Sequence, residues 1–242
     1  MQPLLELHGV SKAFGGLRAV DGLTASVRRG EVVGLVGPNG SGKTTALNLV
    51  TGNLTADSGA ILFEGRPIER AAAHRITRAG IARTFQLVRV MPSLTLAENV
   101  AVGAMFGARA CSPAEAQERA LPLLARVGLA ARAEERARSL TYIDQKRLEL
   151  ARALAAEPQL LLLDEWLAGL NPTELKEGIA LIAALAADVM TIVMVEHVMD
   201  AICALCSRCV VMNAGTKIAE GTPAEALSDP AVIKAYLGDD DA

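Results

Sequence analysis

The chain is 242 residues long and carries 24 Lys+Arg against 27 Asp+Glu, a formal net charge of −3. That length is one large domain or two small ones, and a composition 51% apolar and 21% charged builds a substantial core and excludes a disordered chain. A near-neutral, slightly acidic balance argues against a protein whose main task is to hold duplex nucleic acid on a basic face. Aromatic residues make up only 3%, so the core is expected to be built from Leu, Ala, Val and Ile.

The opening segment Leu4–Val10 alternates and reads as a strand, followed by a Gly-rich turn at Phe14-Gly15-Gly16. Arg29-Gly30-Glu31 turns the chain into Val32–Val36, a short β-branched run of the kind buried on both faces of a sheet. A helical pattern follows over Ala46–Thr51, and Ile61-Leu62-Phe63 with Glu64-Gly65 reads as a strand and turn. From about Leu87 to Ala156 the character shifts to helix formers, broken at Pro92, Gly103, Gly107, Pro113 and Gly128. Leu160–Leu163 is another short apolar run. Then come a helix Thr173–Ala187, a strand Thr191–Val195, a helix Val198–Leu205 and a strand Cys209–Met212. A hairpin turn at Asn213-Ala214-Gly215, two short helices and the acidic Asp239-Asp240-Asp241 run close the chain. Strands alternating with helices predict an α/β fold with a largely parallel sheet.

The most apolar stretch, Gly178–Val195, is interrupted by Asp188 and Thr191. A membrane helix needs about 20 predominantly apolar residues, so the stretch is read as a helix and a buried strand, and the chain is not expected to span a membrane. The N-terminus MQPLLELHGV has no basic region ahead of an apolar run, so no secretory signal is expected and a reducing cytosol is the default.

Gly37-Pro38-Asn39-Gly40-Ser41-Gly42-Lys43-Thr44-Thr45 matches G-x-x-x-x-G-K-[ST] after a strand and at the opening of a helix. Glycines let backbone N–H groups converge on phosphate oxygens at a helix N-terminus, where the dipole favours negative charge. Lys43 is expected on the β- and γ-phosphates and the Thr44 hydroxyl on Mg²⁺. An ordinary Gly-rich turn is the weaker reading in this context. Leu160-Leu161-Leu162-Leu163-Asp164-Glu165 ends a buried strand in two acids, placing Asp164 to hold the Mg²⁺ shell and Glu165 to polarise a water in line with the γ-phosphate. Together these motifs indicate a nucleoside triphosphatase using ATP and Mg²⁺.

With Gln86 in Ala82-Arg83-Thr84-Phe85-Gln86, the Leu140–Arg152 segment, Ala168-Gly169-Leu170-Asn171-Pro172 and His197, these motifs occur in the order of an ABC-transporter ATPase subunit, and the resemblance spans essentially the whole chain. It is most similar to the ATP-binding subunits of high-affinity branched-chain amino-acid importers. That narrower likeness rests on Phe14-Gly15-Gly16-Leu17-Arg18-Ala19-Val20, Arg83-Thr84-Phe85-Gln86, Tyr142-x-x-Gln145-Lys146-Arg147-Leu148-Glu149, Gly221-Thr222-Pro223 and the ending Ala235-Tyr236-Leu237-Gly238. The resemblance implies a P-loop core over 1–86 and 157–242, with an antiparallel N-terminal β part, and a helical subdomain over about 87–156.

It also implies roles. Phe14 stacks on adenine, unless it is a core side chain beside the turn. Gln86 reaches Mg²⁺ or the attacking water, and His197 contacts the γ-phosphate. His8 and His74 are read as ordinary. Leu140-Thr141-Tyr142-Ile143-Asp144 stands where the family has Leu-Ser-Gly-Gly-Gln, the segment offered to the ATP of a partner subunit through a helix N-terminus. Ile143 replaces a Gly and Asp144 a Gln, which is expected to weaken the composite site using this segment through a β-branched side chain and like-charge repulsion. Asn171 in place of Asp and Trp166 in place of Pro are milder departures, and Trp166 is assigned no chemistry.

The implied partners are transmembrane permease subunits, a second ATPase subunit, identical or paralogous, and indirectly a periplasmic or extracellular substrate-binding protein. No nucleic acid is expected, and the implied location is peripheral, on the cytoplasmic face of the inner membrane. The alternatives are the ATPase of a lipid or lipopolysaccharide exporter and a weakly hydrolysing ATP-binding partner subunit. ABC ATPases of DNA repair and translation carry long heptad insertions or a second cassette, and this chain has neither. Cys203-x2-Cys206-x2-Cys209 lacks the fourth Cys and Pro of an iron–sulfur run, and is read as small residues packed on a helix and the next strand.

Overall fold

The computed structural model describes residues 2–237, so Gly238 of the family-like ending and the Asp239-Asp240-Asp241 run lie outside the described residues. The chain divides into two compact units, Met1–Ala73 with Ile182–Ala242, and His74–Leu181.

The first unit opens on strands β1 (Leu5–Phe14) and β2 (Leu17–Val27), joined through Gly15-Gly16, with β4 (Ser58–Phe63) on the other side of β1 and the two-residue β5 (Arg66–Pro67) on β4, all antiparallel. β1 is longer than the expected Leu4–Val10, and β2 is a strand that its sequence hides. Its buried residues Val20, Leu23 and Val27 are spaced three and four apart, a helical spacing. The reason is a bulge: Val10 pairs with Leu23 but Lys12 with Val20, so one extra residue enters β2, at a point where Gly22 supplies φ 62°. Strand β3 (Val32–Val36) is buried at every residue and delivers the chain to helix α1 (Lys43–Val50).

The second unit starts with α2 (Ala73–Ala79) and the three-residue β6 (Ile81–Arg83), too short to stand out in the sequence. Helices α3 (Leu96–Phe106), α4 (Pro113–Arg126) and α5 (Tyr142–Ala155) follow, then β7 (Leu160–Asp164) and α6 (Pro172–Ala187), which runs on past the unit's last residue. β6 and β7 are parallel with Arg83 opposite Leu162, so β7 runs two residues past the end of β6. α3 begins with a capping box in which Thr95 and Glu98 exchange side chain-to-backbone bonds. It crosses α5 at Gly103, where a Cβ would stand 2.2 Å from the Arg152 carbonyl oxygen.

The remainder of the first unit is β8 (Thr191–Val195), α7 (Met199–Leu205), β9 (Arg208–Asn213), β10 (Thr216–Gly221), α8 (Pro223–Ser228) and α9 (Pro230–Leu237). β8 and β9 lie parallel on either side of β3, and β10 returns antiparallel on β9 through the predicted turn at Ala214-Gly215. Arg208 fastens β9 to the residue before β3 through two bonds to the Glu31 carboxylate, at 2.8 and 3.0 Å. Burial pushes the Glu31 carboxyl up, but the Arg208 guanidinium and the Arg28 amide outweigh it and hold the group below its usual range. Among the described residues no helix is long and apolar enough to cross a membrane.

Gly103→Val places branched carbons against main chain that cannot move without displacing α5. The expected cost is about 1–3 kcal/mol, read as a lower midpoint in thermal or urea unfolding, whereas Gly128→Ala, where no atom lies near the new carbon, costs only the strain of its left-handed backbone.

Candidate functional site

In the first unit, the loop between β3 and α1 is built around two glycines. Gly37 (φ 147°) passes so close to β9 that a Cβ would stand 2.1 Å from the Met212 carbonyl oxygen, and at Gly42 (φ 103°) one would stand 2.2 Å from that of Ala19. Only glycine fits either place. Because Gly42 is the residue preceding α1, no side chain caps the helix, and its first turn holds no acid. A helix start with no side-chain cap and no acid presents the positive end of its dipole, the kind of place an anion can take. The Lys43 ammonium folds back on its own loop, donating to the carbonyls of Gly37 at 2.8 Å and Pro38 at 2.9 Å and to the Ser41 hydroxyl at 3.4 Å. Lys43 and Ser41 are buried, whereas Asn39, Gly40 and Thr44 are exposed and Thr45 is half-buried.

Phe14 ends β1 at the hairpin tip with its ring 46% exposed and the Lys12 ammonium 5.7 Å from its centroid, so it is not a core side chain. His197 lies just beyond β8 and is exposed. Burial raises the Tyr236 phenol against an opposing bond with the Gly37 backbone, which brings the C-terminal helix α9 to the root of the phosphate loop.

In the second unit, both acids at the end of β7 are engaged. Asp164 is buried, and its Oδ2 meets the equally buried Arg83 guanidinium at 2.6 Å, while its Oδ1 is buried with no hydrogen-bond partner. Glu165 accepts a 2.7 Å bond from the Gln86 amide, so Gln86 sits on the carboxylate itself. The loop carrying Gln86 is clamped by the buried Glu149 of α5, which accepts from the amides of Phe85 at 3.3 Å and Arg89 at 3.0 Å. Burial raises the Glu149 carboxyl in spite of those two amides. Arg83 and Glu149 carry no role in the sequence reading: their partners lie 81 and 60–64 residues away, and no local pattern marks such pairs.

The start of α5 is the opposite of α1. Thr141 caps it by accepting from the Asp144 amide, and Asp144 puts a carboxylate in the first turn. That carboxylate lies 2.6 Å from Arg132 and 3.5 Å from Arg147, guanidinium groups that it shares with Glu135 and Glu177. The like-charge repulsion expected of Asp144 is thereby reduced, and the capped helix start and the Ile143 side chain remain as the obstacles to an anion. Leu140 is buried and Tyr142 is 47% exposed. Asn171 does what Asp would do: its Oδ1 accepts from the amides of Thr173 and Glu174, both at 3.0 Å, capping α6.

Each unit carries a hard oxygen donor of the kind Mg²⁺ takes: the exposed Thr44 in the first, and in the second the buried Asp164 oxygen that has no hydrogen-bond partner. Cys206 and Cys209 are buried, Cys203 is exposed and Cys111 is half-buried.

Residues 20–168 match the ABC transporter family model, and residues 216–242 match that of the branched-chain amino acid ATP-binding cassette transporter. The chain is 41% identical to the high-affinity branched-chain amino acid transport ATP-binding protein LivG of Salmonella typhimurium over 98% of this chain and 99% of the relative. Its fold matches the ADP conformation of MJ1267, an ATP-binding cassette of an ABC transporter, at a TM-score of 0.87 and 30% identity, over 99% of this chain and 100% of that one. It also matches the dimeric post-hydrolysis structure of the cassette MJ0796 bound to ADP and Pi, at a TM-score of 0.80 and 26% identity, over 90% of this chain and 98% of that one.

Removing one member of the buried ion pair leaves an uncompensated charge. Arg83→Met is expected to cost about 3–5 kcal/mol of stability, and the double variant Arg83→Met with Asp164→Asn to recover most of it, both read by chemical denaturation.

Proposed function

The chain belongs to the ABC transporter family of ATP-binding cassettes, and from that premise we propose that it is the ATP-hydrolysing motor subunit of a membrane importer of branched-chain amino acids. The cargo assignment is carried by the C-terminal residues 216–242, whose family model is the branched-chain one. In this reading the subunit pairs with a second ATPase subunit and docks from the cytoplasmic face of the inner membrane on permease subunits, which in turn receive cargo from a substrate-binding protein.

The triphosphate sits on the uncapped amides of α1, cradled by the loop from Gly37 to Thr45. Lys43 exchanges its bonds to the Gly37 and Pro38 carbonyls for bonds to the β- and γ-phosphates, so the ammonium is never left unsatisfied. The exposed ring of Phe14 stacks on adenine. Thr44 and Asp164 would hold Mg²⁺, which when bound would supply charge neutralisation at the phosphates. Glu165 orients a water and takes its proton as the water oxygen bonds to the γ-phosphorus; the bridging oxygen leaves with ADP. Gln86, resting on Glu165 in this structure, must yield that carboxylate to the water, which couples the loop held by Glu149 to the chemistry. His197 supports the γ-phosphate. The segment Leu140–Asp144 faces the nucleotide of the partner subunit, and its capped helix start and Ile143 side chain weaken that composite site.

Lys43→Ala is expected to weaken ATP binding by about 10- to 100-fold, the value of a charge-assisted bond, in a fluorescent-nucleotide titration. Glu165→Gln keeps ATP binding and lowers turnover by about 100-fold or more. Unchanged nucleotide affinity in Lys43→Ala would overturn the assignment of the loop. Ile143→Gly combined with Asp144→Gln is expected to raise the ATPase turnover of the assembled complex, and an unchanged turnover counts against a weakened composite site.

A further inference from the structure

One buried pair next to the proposed carboxylate takes no part in the chemistry above. The Trp166 indole is 1% exposed and so is the Lys146 side chain of α5. The two clasp each other: the Trp166 Nε1–H donates to the Lys146 carbonyl at 3.1 Å, and the Lys146 ammonium donates to the Trp166 carbonyl at 2.9 Å and to the Glu165 carbonyl at 3.1 Å. The ammonium also lies 5.0 Å from the centroid of the Tyr142 ring, one helical turn nearer the start of α5. The indole has a seat made for it at Gly178, where a Cβ would stand 3.1 Å from the ring carbon Cζ3 and 2.7 Å from Leu167.

Between these anchors Glu165 adopts φ 49°, a left-handed backbone that a non-glycine residue holds only when its surroundings impose it. Its carbonyl is fixed from two directions, by the Lys146 ammonium and by the Ala168 amide at 3.2 Å. Fixing that peptide fixes the direction in which the Glu165 side chain leaves the backbone, and so the place of its carboxylate. A lysine buried this deeply is costly unless its donors are satisfied; here they are spent on the two carbonyls that follow the water-orienting carboxylate.

We propose that Lys146 and Trp166 are positioning residues that hold Glu165 in its left-handed conformation and tie it to the first two turns of α5. The inference rests on the reading of Glu165 as the residue that orients water. It gives Trp166, which stands where the family has proline, a function that proline could not supply, since proline carries no side-chain donor.

The test is steady-state ATPase kinetics of the assembled transporter with Trp166→Phe and Lys146→Met. Trp166→Phe deletes the donor together with one ring of the indole, and the Lys146 carbonyl it abandons lies inside a helix; the lost packing is read in the melting temperature and the lost positioning in kcat. Each variant is expected to lower kcat about 10-fold, the size of one lost buried hydrogen bond, with KM for ATP within about two-fold of the parent. The double variant is expected to be no slower than the worse single one, as for residues that act as a unit. Should Lys146→Met not fold, Trp166→Phe alone decides. A lowered melting temperature with unchanged kcat in Trp166→Phe would overturn the proposal and leave a purely structural clasp. Glu165→Gln run in parallel separates the two claims: if it keeps full turnover, the reading of Glu165 fails, whatever the clasp variants do.

Discussion

Phosphate binding through the backbone needs a helix start that no side chain of the protein itself fills, and α1 has one. Every other feature of the loop serves that constraint. Gly42 offers no capping side chain, the first turn has no acid, and Gly37 and Gly42 are pressed against β9 and β2 so closely that no side chain could intrude. The loop carbonyls of Gly37 and Pro38 are meanwhile answered by the Lys43 ammonium. The start of α5 solves the same problem the ordinary way, with a hydroxyl cap and a carboxylate at the positive end of the dipole. Two helices in one chain thus have opposite affinities for an anion, and the difference lies in three or four residues.

The second unit carries a different constraint, charge burial. Asp164, Glu149 and Lys146 are all buried, and each is answered by a distinct partner: a guanidinium, a pair of backbone amides and a pair of carbonyls. These partners lie on β6, the loop after it and the residues following β7, so the packing of α5 and β7 is inseparable from the placement of the acids. Asp164 keeps one buried oxygen without a hydrogen-bond partner.

The phosphate loop, the two acids after β7 and the order of the motifs were legible because each is a local pattern with a local cause. Leu160–Asp164 and Thr191–Val195 read as buried strands and are so. β2 was not legible, since its bulge at Gly22 shifts the inward positions off the period of two, and β6 was not, because three residues have no period. Arg83 stood within a recognised string with its role invisible, because an ion pair spanning 81 residues exists only after β6 and β7 have paired. Asp144 read as an uncompensated acid for the same reason: its two arginines come from its own helix and from a turn twelve residues earlier, and only folding aims them at it. Trp166 was assigned no chemistry from the sequence, because its indole finds the Lys146 carbonyl, twenty residues away, only once α5 has packed.

The seat of that indole has a consequence for how the two positions change in descent. A Cβ at Gly178 would stand 2.7 Å from Leu167 and 3.1 Å from the tryptophan ring. A smaller residue at 166 removes one of those two obstacles to alanine in the middle of α6, where glycine weakens a helix, and Leu167 keeps the other. An exchange of bulk between 166 and 178, twelve positions apart in sequence, therefore has to carry the leucine at 167 with it.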